Sequence, residues 1–542
     1  MLRGEIMKLD EDLGPDREDD FQTDDEENQG QRVFENLDDQ TDSDNSQAPS
    51  RNLSNEVPLS PSWPQSYRQS MDMLTNVSVT PPGLGLTFLR RMSSTGRSNS
   101  ASQQYQDDSS LTTPLVSDNV SSKQPHHVQS LVSSSCTKFS ASELPPPQQQ
   151  CSFAQSVING TNILCGIGIL TIPYAVKEGG WLSLTILVMF AIMCCYTGIL
   201  LMKCLDSDSG LKAYPDIGQA AFGIFGRLGI SIVLYMELFA SCVEYITLFS
   251  DNLESMFPNT NIRFAGTNLG THQIYAITAA LLVLPTVWLR NLSLLSYISV
   301  GGIFASILVT FCLFWVGVID QAGVQFKPGG KLLDLANISV SIGVFGFGFA
   351  GHAVFPNIYS SMKEPSKFPS VIYISFAFCL VMYISVAAVG YLTFGDSIES
   401  QFTLNMPKEL YASKIAIWTT VVTPIAKYAI TLLPISLSIE ELVPSPRLKC
   451  YAMSVLIRTV LVILSLVVAL SVPYFGSVLA LVGSLMSMLV ALIYPCACYL
   501  KLHKGSLSKI EITNCYIIIC VGLICASMGT YSAMTRIFGE GD

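Results

Sequence analysis

FAQSVINGTNILCGIGILTIPYAVKEGGW, residues 153–181, decides how the rest of the chain is read. It is long and apolar enough to cross a bilayer, for which about 20 mostly apolar residues suffice. Yet Gln155, Asn159, Asn162 and Gly166 recur at helical spacing and so share one face. Amides turned to lipid would go without partners, so this face is expected to point into a bundle. Gly166-Ile167-Gly168 weakens the helix and Pro173 removes a backbone donor, which predicts an interruption within the span.

A second interrupted span reads GVFGFGFAGHAVFP, residues 343–356. Again a Gly-x-Gly is followed by a proline, and Lys363-Glu364 follows here as Lys177-Glu178 does after the first. Unwinding frees backbone N–H groups at the start of a half-helix, where an anionic carboxylate can bind. The bland alternative is close helix packing through small residues. Two such helices at matching positions favour a substrate site.

Working outward, eleven spans are expected, at roughly 152–176, 181–202, 228–256, 272–289, 292–318, 335–359, 369–393, 415–439, 452–471, 475–500 and 514–537. Only Arg290-Asn291 divides the fourth from the fifth. The two interrupted helices are then spans one and six. That offset suits two inverted five-helix repeats, each opened by a broken helix. No strand-like alternation competes, so the body is a helical bundle. Loops after even-numbered spans carry eleven Lys+Arg, and those after odd-numbered spans, with the C-terminus, carry seven. The bias predicts a cytosolic N-terminus and a lumenal C-terminus.

Composition agrees. Charged residues make up 13% of 542, against about 25% in soluble domains, and mean hydropathy is +0.41. The first 150 residues hold 23 Asp+Glu and 11 Lys+Arg, and the rest hold 19 and 20. Residues 1–150 therefore read as an acidic, Ser-rich, disordered cytosolic tail without a signal peptide, and 151–542 as the transmembrane domain. The acidity offers no footprint for nucleic acid. The five histidines and fifteen cysteines show no metal-type pairing, and neither a metal nor a cofactor is implied. No Gly-x-x-x-x-Gly-Lys motif is present, so energy should come from a gradient.

The runs NGTNILCGIGILTIPYAVKEGGW, VLYMELFASCVEYI and GFAGHAVFPNIYSSMKEPSKFP resemble the amino acid/auxin permease family. Within it they look like the plant vacuolar amino-acid transporter branch, similar to the vesicular inhibitory amino-acid transporters of animals. The resemblance covers about residues 150–540. It implies an all-α membrane protein with a LeuT-type fold, inverted five-helix repeats plus one extra helix. It also implies proton-coupled transport of neutral amino acids across the vacuolar membrane.

On this reading the backbone from Asn162 and Cys165 through Gly166, Ile167 and Gly168 holds the substrate carboxylate. Phe345, Gly346 and Gly348 line the side-chain pocket. Charges inside a membrane default to function. Span three offers Glu237, with Glu244 two turns on toward a polar boundary, and span eight offers Lys427 beside Thr420, Thr423 and Thr431. A buried Lys beside a Glu can share or release a proton as a site opens, and the alternative is a static ion pair. His352 suits a proton sensor or a packed, hydrogen-bonded histidine. Arg458 is expected to snorkel to the cytosolic face, and Glu440 and Glu441 to be solvated. The expected function is secondary active transport of amino acids. The rivals are a non-transporting amino-acid receptor and an auxin-like or other small-carboxylate permease.

Overall fold

The computed structural model describes Trp63, Pro64, Tyr67, Ser70, Met71 and residues 151–260, 262–264, 267–288, 292–320, 330–443 and 451–539. The remaining tail residues, the Arg290-Asn291 divide and the Arg447/Lys449 loop lie outside the described residues. The chain divides into Met1–Glu56, also outside them, and Val57–Asp542, to which everything below belongs.

The described helices group at the positions of the expected spans. Span one is Phe153–Leu164, then a short 3₁₀ turn Ile167–Thr171, then Ile172–Gly179. Spans two to five are Ser183–Leu205, Tyr214–Met256, Thr271–Trp288 and Leu292–Phe314. Span six is Ile338–Gly348 plus Phe355–Ser361, and span seven is Phe368–Phe394. Spans eight and nine are Tyr411–Leu442 and Tyr451–Ser471. Span ten runs from Phe475–Val482 through two π-helical turns to Tyr494–Leu502, and span eleven is Lys509–Gly539. Among the described residues nine of these helices are long and apolar enough to cross a membrane, and span one adds a pair bent by 45°. Span six is two short helices: the first ends at Gly348, and Pro356 in the first turn of the second has no N–H with which to continue it.

Two details depart from the sequence expectation. The helix leading into span three begins at Tyr214, well before 228, but Gly223 takes φ 68° and turns the chain. Only glycine adopts that angle readily, so an approach helix folds against the span proper. A two-residue-linked hairpin, β1 (Ile262–Phe264) against β2 (Thr267–Leu269), joins spans three and four.

The repeat is visible in the packing. Span three lies against spans four, eight, nine and ten, and span eight against nine, three, four and five. Exchanging three for eight, four for nine and five for ten maps one set onto the other. Spans one with seven and six with two form a further equivalent pair. Span eleven stands outside the repeat and packs on spans six and ten.

Glycines set how closely the sixth span approaches the tenth. A Cβ on Gly483 would run into the backbone of Gly343 and the Cβ of Phe347, and one on Gly346 into Met488 and Gly483. Gly483→Leu is therefore expected to destabilise the fold by about 1–3 kcal/mol through overpacking. A thermal unfolding midpoint in detergent equal to that of the unsubstituted chain would contradict this packing.

Candidate substrate site

The two breaks meet at the centre of the bundle. At span one, Cys165 N–H still donates to Thr161 O at 2.8 Å, and Gly166 N–H turns back to Leu164 O at 2.8 Å. Ile167 and Gly168 open the next half, so their N–H groups have no carbonyl of their own helix to use. At span six the helix stops at Gly348 and restarts at Phe355. A Cβ on Gly168 would stand 3.3 Å from Phe347 and 3.5 Å from Gly348 Cα, so the two breaks lie in contact.

Their freed carbonyls are answered by neighbouring spans. Tyr383 of span seven donates its hydroxyl toward Gly348 O at 2.9 Å and also toward Leu164 O, so one side chain bridges both breaks. Ser306 of span five donates to Cys165 O at 2.8 Å. Beyond the break, Ser341 donates to Ala175 O at 2.6 Å, pinning the second half of span one to the first half of span six.

A cavity of about 160 Å³ opens beside the breaks, lined by Asn162, Gly166, Ile167 and Gly168 of span one and Phe347, Gly348 and Val354 of span six. Span three contributes Glu237 and Tyr245, and span eight contributes Lys427 and Thr431. This is smaller than the roughly 300–1,000 Å³ of drug-sized sites and suits a single small solute. A Cβ on Gly166 would meet only Ile163 O, at 3.7 Å. The bland packing account therefore does not hold for this glycine, which faces open space. It does hold for Gly346.

The predicted residues thus separate. Asn162, Gly166, Ile167, Gly168, Gly348, Glu237 and Lys427 come together around the cavity. Phe345 is fully buried away from it, because Gly346 and Gly343 turn that side of the helix onto span ten, and Phe347 takes the lining position. Cys165 points its thiol at Cys379, 3.1 Å away, and its backbone groups are already engaged. His352 sits fully buried within the break, with Nε2 3.0 Å from Thr197 Oγ1 and 3.1 Å from Cys194 O, and its ring packs on Phe355.

Glu237 accepts from Ser487 of span ten at 2.8 Å, while Lys427 crosses toward Asn162 and Gly302. Among the described residues no ion pair joins these two charges. Lys427 also lines a second, smaller cavity with Gly166, Ser306, Thr420 and Thr423, where both threonine hydroxyls bond back to their own helix. Glu244 is 1% exposed against 9% for Glu237, and among the described residues neither of its oxygens has a hydrogen-bond partner, so it is the more buried of the two. Arg458 does not snorkel: it donates to Val287 O at 2.8 Å and pairs with Glu440 at 3.5 Å, so neither is solvated. Glu178 pairs with Arg536 of span eleven at 2.6 Å, whereas Glu364 pairs with Lys367 on the surface. The two Lys-Glu sequences are therefore not structural counterparts.

Sequence reasoning missed Tyr383 and Ser487. Tyr383 carried a signal, a hydroxyl in the middle of an apolar span that must find an acceptor. Ser487 closes the first π-helical turn of span ten, a feature found mostly at functional sites.

A family model described as transmembrane amino acid transporter protein matches residues 149–535. The chain belongs to this family. It is 53% identical to amino acid transporter AVT1D of Arabidopsis thaliana over 89% of this chain and 88% of that protein. Against AVT1E of the same plant it is 50% identical over 98% of this chain and the whole of the relative. A vesicular GABA transporter of Caenorhabditis elegans is 28% identical over 66% of this chain and 74% of its own length. Those names are of transporters rather than enzymes, and they fit the multi-pass bundle seen here. The expected plant branch, with its likeness to the vesicular carriers, is the one found.

Part of the tail packs on the bundle next to a residue that lines the cavity. Tyr67, Ser70 and Met71 are buried, Tyr67 to 1% exposure. The Tyr67 hydroxyl donates to Ala353 O at 3.1 Å, and Ala353 itself lines the cavity. The Trp63 indole donates to Ser438 O at 3.0 Å, and Arg227 donates to Trp63 O at 2.9 Å. Both rings pack on Tyr235 of span three, at 6.0 and 5.9 Å between centroids. A solvated tail does not describe these residues.

Two substitutions test the site. Tyr383→Phe removes the donor shared by Gly348 O and Leu164 O and is expected to cost about 1–3 kcal/mol of stability. An unchanged unfolding midpoint would mean that the bridge contributes nothing. Gly166→Leu is expected to fold, because no neighbour obstructs it, yet to fill the cavity and abolish amino-acid binding. Isothermal titration with ordinary affinity in that variant would remove Gly166 from the site.

Proposed function

We propose that the protein is a secondary active transporter that moves neutral amino acids across the vacuolar membrane by alternating access, driven by protons. The observation that carries this reading is one cavity, bounded by both helix breaks, that holds a carboxyl and an amine not paired to each other. The substrate carboxylate sits at the N–H groups of Ile167 and Gly168, where a half-helix begins and its dipole favours an anion. The substrate side chain lies along Phe347, Val354 and Ile430. Glu237 and Lys427 take up and release the coupled proton as the cavity exchanges sides. Their separation supports this role over a static tie between helices, since each keeps a face toward the solute. The tail side is cytosolic and the C-terminus lumenal, as the Lys/Arg bias of the loops suggests. The vacuolar setting rests on the resemblance to the plant branch.

The Lys427 ammonium stands where a hydroxyl-bound cation would otherwise lie between spans one and eight, beside Thr420 and Thr423. Sodium is therefore dispensable on this reading. Uptake of labelled amino acids into proteoliposomes, with pH and sodium gradients imposed separately at matched potential, tests both points. Accumulation is expected to follow the pH gradient and to ignore sodium. Lys427→Ala and Lys427→Arg should both lose pH-driven accumulation, because Ala removes the amine and a guanidinium stays protonated. Uptake that follows sodium alone, or pH-driven accumulation in Lys427→Ala, would refute the assigned role. Binding without any accumulation would favour a receptor.

A further inference from the structure

We infer that Trp63, Tyr67, Ser70 and Met71 of the tail form a plug, docked in the transport pathway so as to hold the cavity shut on their own side. The inference rests on the transport reading, since a plug matters only if solute passes.

The position argues for it first. Tyr67 bonds to Ala353, whose side of span six continues directly into the cavity, and Tyr235 beneath both rings lies two residues from Glu237. Any solute leaving toward this face would have to pass between span three, span eight and the second half of span six. Trp63 and Tyr67 occupy that gap.

The bonding argues for it second. The segment is tied at once to Arg227 and Tyr235 of span three, to Ser438 of span eight and to Ala353 of span six. The second half of span six is joined in turn to the start of span one. Cys151 N–H donates to Ser361 O at 2.7 Å, and Lys363 N–H donates to Cys151 O at 3.0 Å. Alternating access requires the broken helices to move against the others. A segment bonded to both sets braces them together, so docking opposes opening as well as filling the route.

The residue types argue for it third. Trp63, Tyr67 and Met71 are the kind of rigid aromatic and adaptable apolar anchors that fill pockets at interfaces. Ser70 turns its hydroxyl onto Tyr67 O at 2.9 Å, so this buried polar group is answered within the tail itself. Because the segment is covalently part of the chain, it docks at a high effective concentration without needing high intrinsic affinity. The docking groove accordingly suits a short helical turn bearing aromatic side chains, and its occupant is this chain's own tail.

The test compares the full chain with a Tyr67→Ala/Met71→Ala variant and with a chain lacking residues 1–75. Each is reconstituted in proteoliposomes and supplied with a labelled mixture of neutral amino acids under a fixed pH gradient. If docking leaves the pathway open about one-fifth of the time, both changes raise the initial rate about fivefold. A synthetic peptide of residues 60–75, present on both sides of the bilayer, should slow the truncated chain again, and the same peptide with Tyr67→Ala should not. Equal or lower rates in both altered chains, with a full chain that transports, would overturn the plug. If no chain accumulates any amino acid, the transport reading falls, and hydrogen exchange then decides the docking separately. Protection of the amides from Tyr67 to Met71 in the full chain, lost in the double variant, supports docking. Free exchange there in the full chain overturns it.

Discussion

Everything at the centre of this molecule follows from the cost of opening a helix where there is no water. An unpaired peptide group in an apolar interior costs several kcal/mol, yet spans one and six are both interrupted there. The interruptions persist because other spans answer the freed carbonyls. Tyr383 reaches Leu164 and Gly348 together, and Ser306 reaches Cys165. The N–H groups of Ile167 and Gly168 are the ones left at the opening of a half-helix. Carbonyls answered by side chains, beside N–H groups at the start of a half-helix, are what the proposed carboxylate site rests on.

The same constraint shapes the packing around the site. The first half of span six presses on span ten through Gly343, Gly346 and Gly483, and is pinned to the second half of span one by Ser341. Arg536 of span eleven gathers Glu178, Asn337 and Tyr174 at the same end. That end is therefore tightly joined by backbone contact and charge. The opposite end is held by the Cys151–Met362 backbone pairing and by the residues of the tail. Two ends closed by such different means make the cavity between them asymmetric, and its lining runs toward the tail side through Ala350, Ala353 and Val354.

Charge is placed with equal economy. Among the described residues, the ionisable side chains Glu237, Glu244, Lys427, Arg458 and Glu440 lie within the body and are not gathered into one network. Arg458 and Glu440 pair with each other away from the cavity. Glu237 takes a serine hydroxyl and Lys427 takes the neighbourhood of Asn162 and Gly302, each on its own wall. A pair locked together would contribute rigidity. Two groups on facing walls can each respond to what enters between them.

The sequence alone determined the class of the protein. The number of spans, the breaks in the first and sixth, and the five-span offset are all local properties, written in hydrophobic length, glycine and proline. Glu237 and Lys427 were legible for a similar reason, since a charge within an apolar run has few bland explanations. What tertiary structure decided is which side of each helix meets which neighbour. Phe345 and Phe347 differ by two residues in an almost uniformly apolar run, yet only Phe347 lines the cavity while Phe345 is fully buried elsewhere. Glu244 and Arg458 looked peripheral by their place along the helix, but burial depends on what packs beside them, not on distance from a helix end. The tail residues show the same limit most plainly. Trp63, Tyr67 and Met71 do recur at a spacing of four, but three residues in a polar stretch are too short a signal to stand out, and the partners of Trp63 and Tyr67 on spans three, six and eight are far away in sequence. Composition sets whether a segment folds by itself, whereas docking depends on a groove that exists only once the bundle has formed.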